Sequence, residues 1–394
     1  MAPLQAPERF EYSLSVNLVP GASRAETEAL YGGKIVVWRP EADFAVLGLQ
    51  TDGGLQTLEV TANKSVFAVP EVVAASVDSG GRSTWSGGRS TWSGGRSVWS
   101  GGKPTTFTEN LGYWNQVDLP AAQRLAPRLG AGVTVAFVDP GIDMSHHVFG
   151  GRLAPRRDWR DFVDGDDYPQ EVPGPNYGHG TGVADLVVQV APNVTLLPLR
   201  VLGPDSAGDT TAVVAAIDYA VQHGAAIINL SLCTDTSEKA LKNLVAYAAK
   251  QNVLVVASAG NGGREGVTFP AHYKKEVIGI GSVNGNDELS SFSSYGRALR
   301  LTAPGKVLYT AAPDRQVVAW SGTSFATPIV TGALALALGE RPSSGLTASD
   351  LAKKMTATAE DVHDRGVNKT YKADQLGKGR LDIDDFLKAV LATK

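Results

Sequence analysis

The sequence predicts an α/β protein with a parallel sheet covered by helices on both faces, preceded by a small α+β unit. Near-continuous apolar runs recur at residues 133–138, 194–201, 226–232, 253–258 and 277–283, the pattern of strands buried on both faces. Helical patterns fall between several of them, residues 210–223 being one, and alternating strands and helices build a parallel sheet. A chain of 394 residues that is 43% hydrophobic is long enough for such a core and for more than one domain.

The elements follow in three blocks. In residues 1–78, period-2 and period-3.6 patterns predict strands at 13–19, 34–38 and 44–49, a helix at 22–31, a helix near 56–67 and an extended end at 69–77. Residues 79–105 are a repeat. Ser79-Gly-Gly-Arg-Ser-Thr-Trp85 recurs from Ser86 to Trp92 and, with Val98 for threonine, from Ser93 to Trp99. Its seven-residue period is no coiled coil, because paired glycines and one bulky residue per copy make no helical seam. The expected role is a flexible tether; arginine and tryptophan at fixed spacing also suit a contact strip. Residues 106–394 hold the alternating pattern.

That third block carries the chemistry. In Ser321-Gly-Thr-Ser-Phe-Ala-Thr-Pro328 a serine follows a glycine-containing turn and precedes residues 329–338, which are apolar on every face. Such a helix is buried, and its N-terminal end offers free N–H groups and positive dipole character beside Ser324. A serine hydroxyl needs a base and a group to orient that base. His179, in Gly178-His-Gly-Thr-Gly-Val-Ala184, sits between glycines where helical spacing begins; the other five of the six histidines, 146, 147, 223, 272 and 363, lack that context. Asp139 ends the strand pattern Val133-Thr-Val-Ala-Phe-Val-Asp139, where open parallel sheets keep functional groups. Asn261, in Ser258-Ala-Gly-Asn-Gly262, follows another strand pattern and reads by itself as a turn residue.

At these motifs, over residues 106–394, the chain resembles the subtilisin-like serine proteases, the subtilases. The resemblance implies a subtilisin-like parallel sheet and a serine endopeptidase acting through an acyl-enzyme, with Asp139 orienting the base, His179 as base then acid, Ser324 as nucleophile and Asn261 as oxyanion donor. It implies that Leu230, Ser231, Leu232 and Cys233 line the substrate, with Thr268 at the pocket floor. It also makes residues 1–78 a ferredoxin-like propeptide domain that inhibits its own enzyme in a self-processing, monomeric precursor. An independent partner-binding domain is the competing reading of that block. Two departures stand out. Pro140 replaces the family's usual threonine or serine after the aspartate, which removes a hydroxyl and an N–H; Cys233 stands where relatives usually have glycine.

Residues 161–170 pack four carboxylates into a short loop with a glycine, chemistry that suits calcium. Asp161, Asp164, Asp166 and Gln170 also stand where some subtilases bind it, so structural calcium is one expectation and a solvated acidic turn the other. The chemistry itself needs no cofactor. A net charge of -4 argues against a polyanion-binding surface, hence against nucleic acid. No apolar run reaches membrane-spanning length, and the single Cys233 excludes an intrachain disulfide. The family implies an extracellular protein, while the N-terminal residues lack a signal-peptide layout and leave a cytoplasmic one open. The rival in another class is a catalytically silent protein of the same fold that binds partners through its repeat.

Overall fold

The computed structural model describes residues 9–51, 60–62, 67–68, 83–86, 89–92, 107–340 and 345–392. The N-terminal unit comprises β1 (Tyr12–Asn17), α1 (Arg24–Tyr31), β2 (Lys34–Arg39), β3 (Phe44–Leu49) and β4 (Val60–Ala62). Its sheet has the order β2-β3-β1-β4, antiparallel throughout, which is the ferredoxin-like order. Ser23 caps α1 by accepting the Glu26 N–H, and Gly32 closes it in the left-handed region. The helix expected near 56–67 is corrected at 60–62, which pair with β1. Val60 and Thr61 are β-branched, and the open edge of β1 rewards them as strand. The remainder of that expected helix, apart from 67–68, and the extended end at 69–77 lie outside the described residues.

The short strand β5 (Phe67–Ala68) pairs antiparallel with a strand of the third block, and the repeat supplies β6 (Ser83–Ser86) and β7 (Arg89–Trp92). These two pair with each other in the register Ser83↔Trp92 to Ser86↔Arg89. At these residues the repeat is therefore a hairpin, unlike the free tether expected from its composition. The reason is in the same residues: threonine and tryptophan favour strands.

The third block begins with α2 (Leu111–Gln116) and α3 (Leu119–Leu125), then β8 (Thr134–Asp139), β9 (Arg160–Asp161), α4 (His179–Val190), β10 (Thr195–Arg200), β11 (Ala207–Gly208) and α5 (Thr210–Gln222). It continues with β12 (Ile227–Leu230), α6 (Lys239–Lys250), β13 (Leu254–Ser258), β14 (Val277–Val283), β15 (Leu301–Pro304), β16 (Leu308–Ala312) and β17 (Gln316–Trp320), and closes with α7 (Thr323–Glu340), α8 (Ala348–Ala357) and α9 (Ile383–Leu391). Seven strands form a parallel sheet in the order β15-β14-β13-β12-β8-β10-β9. Chain order reverses around β8, so a crevice opens at its carboxyl end. α7 is buried along nearly its whole length and packs on α4 and on the central strands, as an all-apolar helix must.

The N-terminal sheet rests on α5 and α6. Arg39 donates to both carboxylate oxygens of Asp218, at 2.6 and 2.7 Å, and its guanidinium lies 5.3 Å from the Tyr247 ring centroid. Tyr247 donates to Glu41 at 3.1 Å and Asn243 to Ser15 at 3.0 Å. β5 lies on β11, and β7 extends the β16-β17 hairpin through Thr91↔Val318 and Ser90↔Ala319.

Candidate active site

Asp139 is the last residue of β8 and His179 the first of α4. Their side chains meet in the crevice, with His179 Nδ1 2.8 Å from Asp139 Oδ1. That approach needs glycine at 180, where a Cβ would lie 1.9 Å from the Gly141 carbonyl oxygen. Glycine at 182 admits the indole of Trp320, whose Nε1 would lie 3.0 Å from a Cβ there. Trp320 and Phe325 wall the imidazole edge to face, with centroids 6.2 and 5.2 Å away.

Ser324 stands in the first turn of α7 and, like His179, is wholly buried. Its hydroxyl donates to the Ser231 carbonyl at 3.3 Å, and the Ser231 hydroxyl donates back to the Ser324 carbonyl at 2.8 Å. Asn229 and Thr331 extend this link between β12 and α7. His179 Nε2 has no hydrogen-bond partner. Asn261 Oδ1 accepts from the N–H and the hydroxyl of Thr323, at 2.9 and 2.8 Å. With its oxygen so engaged, the amide turns Nδ2 towards Gly322, where a Cβ would lie 3.1 Å from it.

Pro140 leaves its mark on the aspartate. Asp139 Oδ2 is buried without a partner, and burial holds the carboxyl above its ordinary pKa, against the opposing pull of His179. A second carboxylate that the sequence reading missed lies behind the pair. Glu171 is 2% exposed and faces the start of α4; burial pushes it up to about 7, against the lowering effect of the Thr181 hydroxyl. Only its position before Gly178-His-Gly-Thr181 could have drawn notice.

Of the substrate-lining residues expected from sequence, Leu230 ends β12, Ser231 and Leu232 follow it buried, and Cys233 is half-buried. Burial pushes the Cys233 thiol up to about 11, opposed by a hydrogen bond with Thr268, so the thiol stays protonated at neutral pH. Thr268 donates to the Ala259 carbonyl at 3.0 Å beside the Asn261 turn.

The four residues named for calcium do not form a cation cage in this arrangement. Arg200, 2% exposed, donates to Asp161 Oδ2 at 2.6 Å and also to Asp164, so a guanidinium supplies the positive charge between them. Asp161 Oδ1 accepts the Val163 and Asp164 N–H groups, Asp166 accepts that of Tyr168, and Gln170 Oε1 accepts that of Met144. Among the described residues no cluster of three or more His, Cys, Asp or Glu is placed to hold a metal ion. Asp164→Asn is therefore expected to leave the response of the melting temperature to calcium and chelator as in wild type. Arg200→Met should destabilise by about 3–5 kcal/mol, because it strands a buried carboxylate; a thermal melt of both variants checks this.

Comparison with known proteins gives a consistent setting. Residues 130–373 match the sequence profile of the subtilase family of peptidases. The chain is 37% identical over 271 residues to subtilisin DY of Bacillus licheniformis, a span of 65% of this chain and 90% of the relative. It is 35% identical over 277 residues to thermitase of Thermoactinomyces vulgaris, 68% of this chain and 92% of the relative. The crystal structure of a cold adapted subtilisin-like serine proteinase superposes with a TM-score of 0.55 at 32% identity, covering 64% of this chain and 88% of that one.

Proposed function

Because the chain belongs to the subtilase family of serine endopeptidases, we propose that it hydrolyses peptide bonds through Asp139, His179 and Ser324 and is made as a precursor that processes itself. The observation that carries this reading is the buried pair of His179 Nδ1 and Asp139 Oδ1 at 2.8 Å, whose imidazole lies 5.2 Å from the ring of Phe325, the residue after Ser324 in the first turn of α7. In that tautomer Nδ1 donates to Asp139 and leaves Nε2 as the base. For attack, Ser324 Oγ must leave the Ser231 carbonyl and donate to Nε2 instead. Oγ then attacks the substrate carbonyl as its proton passes to Nε2, Asn261 Nδ2 and the N-terminal end of α7 receive the oxyanion, and His179 returns the proton to the leaving amine. Water, deprotonated by the same Nε2, releases the acyl group from Ser324.

One observation supports an inhibitory role for the N-terminal unit: β5 occupies the edge of β11. The family setting supports an extracellular, monomeric enzyme acting on polypeptides; among the described residues no helix is long and apolar enough to cross a membrane. The test is a fluorophosphonate probe, which should label wild type and leave Ser324→Ala untouched, since only an activated serine reacts quickly. Equal silence of the two after the N-terminal unit has been removed would favour a binding protein instead.

Pro140→Thr adds the missing donor to Asp139 Oδ2. A donor favours the charged carboxylate and lowers its pKa, and the enzyme works with Asp139 ionised. The acid limb of kcat/KM is thus expected to move to lower pH, with activity at neutral pH changing by less than about tenfold. An acid limb that moves upward would contradict the assignment of Oδ2.

A further inference from the structure

α4 starts with His179, yet its N-cap is Gly178, which has no side chain to satisfy the free N–H groups of the first turn. A residue distant along the chain does so. Glu171 Oε1 accepts the N–H groups of Gly178 and Gly180 at 2.7 and 3.3 Å. Its Oε2 accepts the N–H and the hydroxyl of Thr181 at 3.2 and 2.6 Å.

The backbone of the same residue is fastened elsewhere. The Glu171 N–H donates to the Ile142 carbonyl at 2.9 Å, and Ile142 N–H donates to the Pro169 carbonyl at 3.1 Å. Residues 169–171 thus run beside the loop that leaves Asp139. The contact is close: a Cβ at Gly141 would lie 2.7 Å from the Pro169 carbonyl oxygen and 2.9 Å from the Glu171 nitrogen. A second tie passes through Thr181, whose hydroxyl donates to Glu171 and accepts the Asp143 N–H at 2.8 Å.

We propose that Glu171 is a positioning residue for the reaction, tied by its backbone to the loop of Asp139 and by its carboxylate to the helix start of His179. This inference rests on the triad reading above. Asp139 lost two donors at Pro140 and holds the imidazole through Oδ1 alone. The relative placement of the two residues therefore depends on the elements that carry them, and Glu171, together with Thr181, ties those elements to each other. Among the described residues its hydrogen bonds run to Ile142, Gln170, Gly178, Gly180 and Thr181, so it is expected to act on turnover and to leave substrate binding alone.

The experiment measures kcat and KM of the full chain, processed and active, on a peptide anilide, with fluorophosphonate labelling and thermal melting of each variant. Glu171→Ala should lower kcat by about tenfold to a hundredfold, the cost of a small misplacement of reacting groups, with KM within about twofold. Glu171→Gln keeps one acceptor oxygen for Gly178 and Gly180 and should recover a large part of the loss. If Glu171→Ala does not fold, Thr181 decides: Thr181→Val, without the bridging hydroxyl, should lose kcat, and Thr181→Ser, with it, should not. Wild-type kcat in Glu171→Ala, or in Thr181→Val, would overturn the proposal, as would a rise in KM at constant kcat. Failure of wild type to react with the probe would count against the triad itself and is thereby distinguished.

Discussion

Replacing Ser324 with alanine is expected to lower kcat about a millionfold, the size of loss measured when the nucleophile of subtilisin itself is removed. The loss is large because alanine leaves His179 nothing to activate and no acyl-enzyme forms. The same change should arrest maturation. Purified wild type is expected to convert to a species that begins between residues 79 and 108, because that glycine-rich sequence joins the two units and such joining segments are preferred sites of cleavage. Ser324→Ala should stay full length until another protease is added. N-terminal sequencing of the active species checks both halves: an active enzyme that keeps residues 1–78 attached would make that unit a partner-binding domain.

The second large effect concerns Asn261. Its oxygen is held by two donors of Thr323, so the amide is pinned with Nδ2 as the donor on the Gly322 side before any substrate arrives. A donor fixed in advance stabilises charge that develops only in the transition state, and it does so without reorganisation. Asn261→Ala should lower kcat by about a hundredfold to a thousandfold at nearly constant KM, the loss measured for the equivalent asparagine of subtilisin. Steady-state kinetics on a peptide anilide decides it, and unchanged turnover would remove Asn261 from the site. Thr323→Val should give part of the same loss, since it removes the donor with the shorter contact.

The proposed site was legible in the sequence where the signal is local. His179 and Ser324 announce themselves through neighbours: glycines that permit close approach, and an apolar helix beginning at each. Asp139 shows as the polar end of an apolar strand. Glu171 and Arg200 did not show, because each takes its meaning from partners reached across a turn or a sheet. The Glu171 carboxylate contacts residues seven to ten positions on, along a path that no periodicity describes. Arg200 meets Asp161 because β10 lies beside β9, a neighbourhood fixed by strand order; without that order the acidic loop reads as a cation site. β4 misled for the same reason, since the edge of β1 that turns Val60–Ala62 into strand is far away in the chain.

The register of the repeat hairpin bears on how this protein can change over generations. One copy corresponds to one strand: Ser86 pairs with Arg89, and Ser93 and Arg96 have the same spacing in the sequence. Near-identical units are prone to gain or loss through misaligned recombination. Because β6 is the edge strand in the order β16-β17-β7-β6, an in-frame gain ahead of it can add a strand at the free edge without shifting the pairing of those already present. The attachment at β17, through Thr91 and Ser90, is then retained while the number of copies drifts. A segment of this kind can vary rapidly in length beside a catalytic core that cannot.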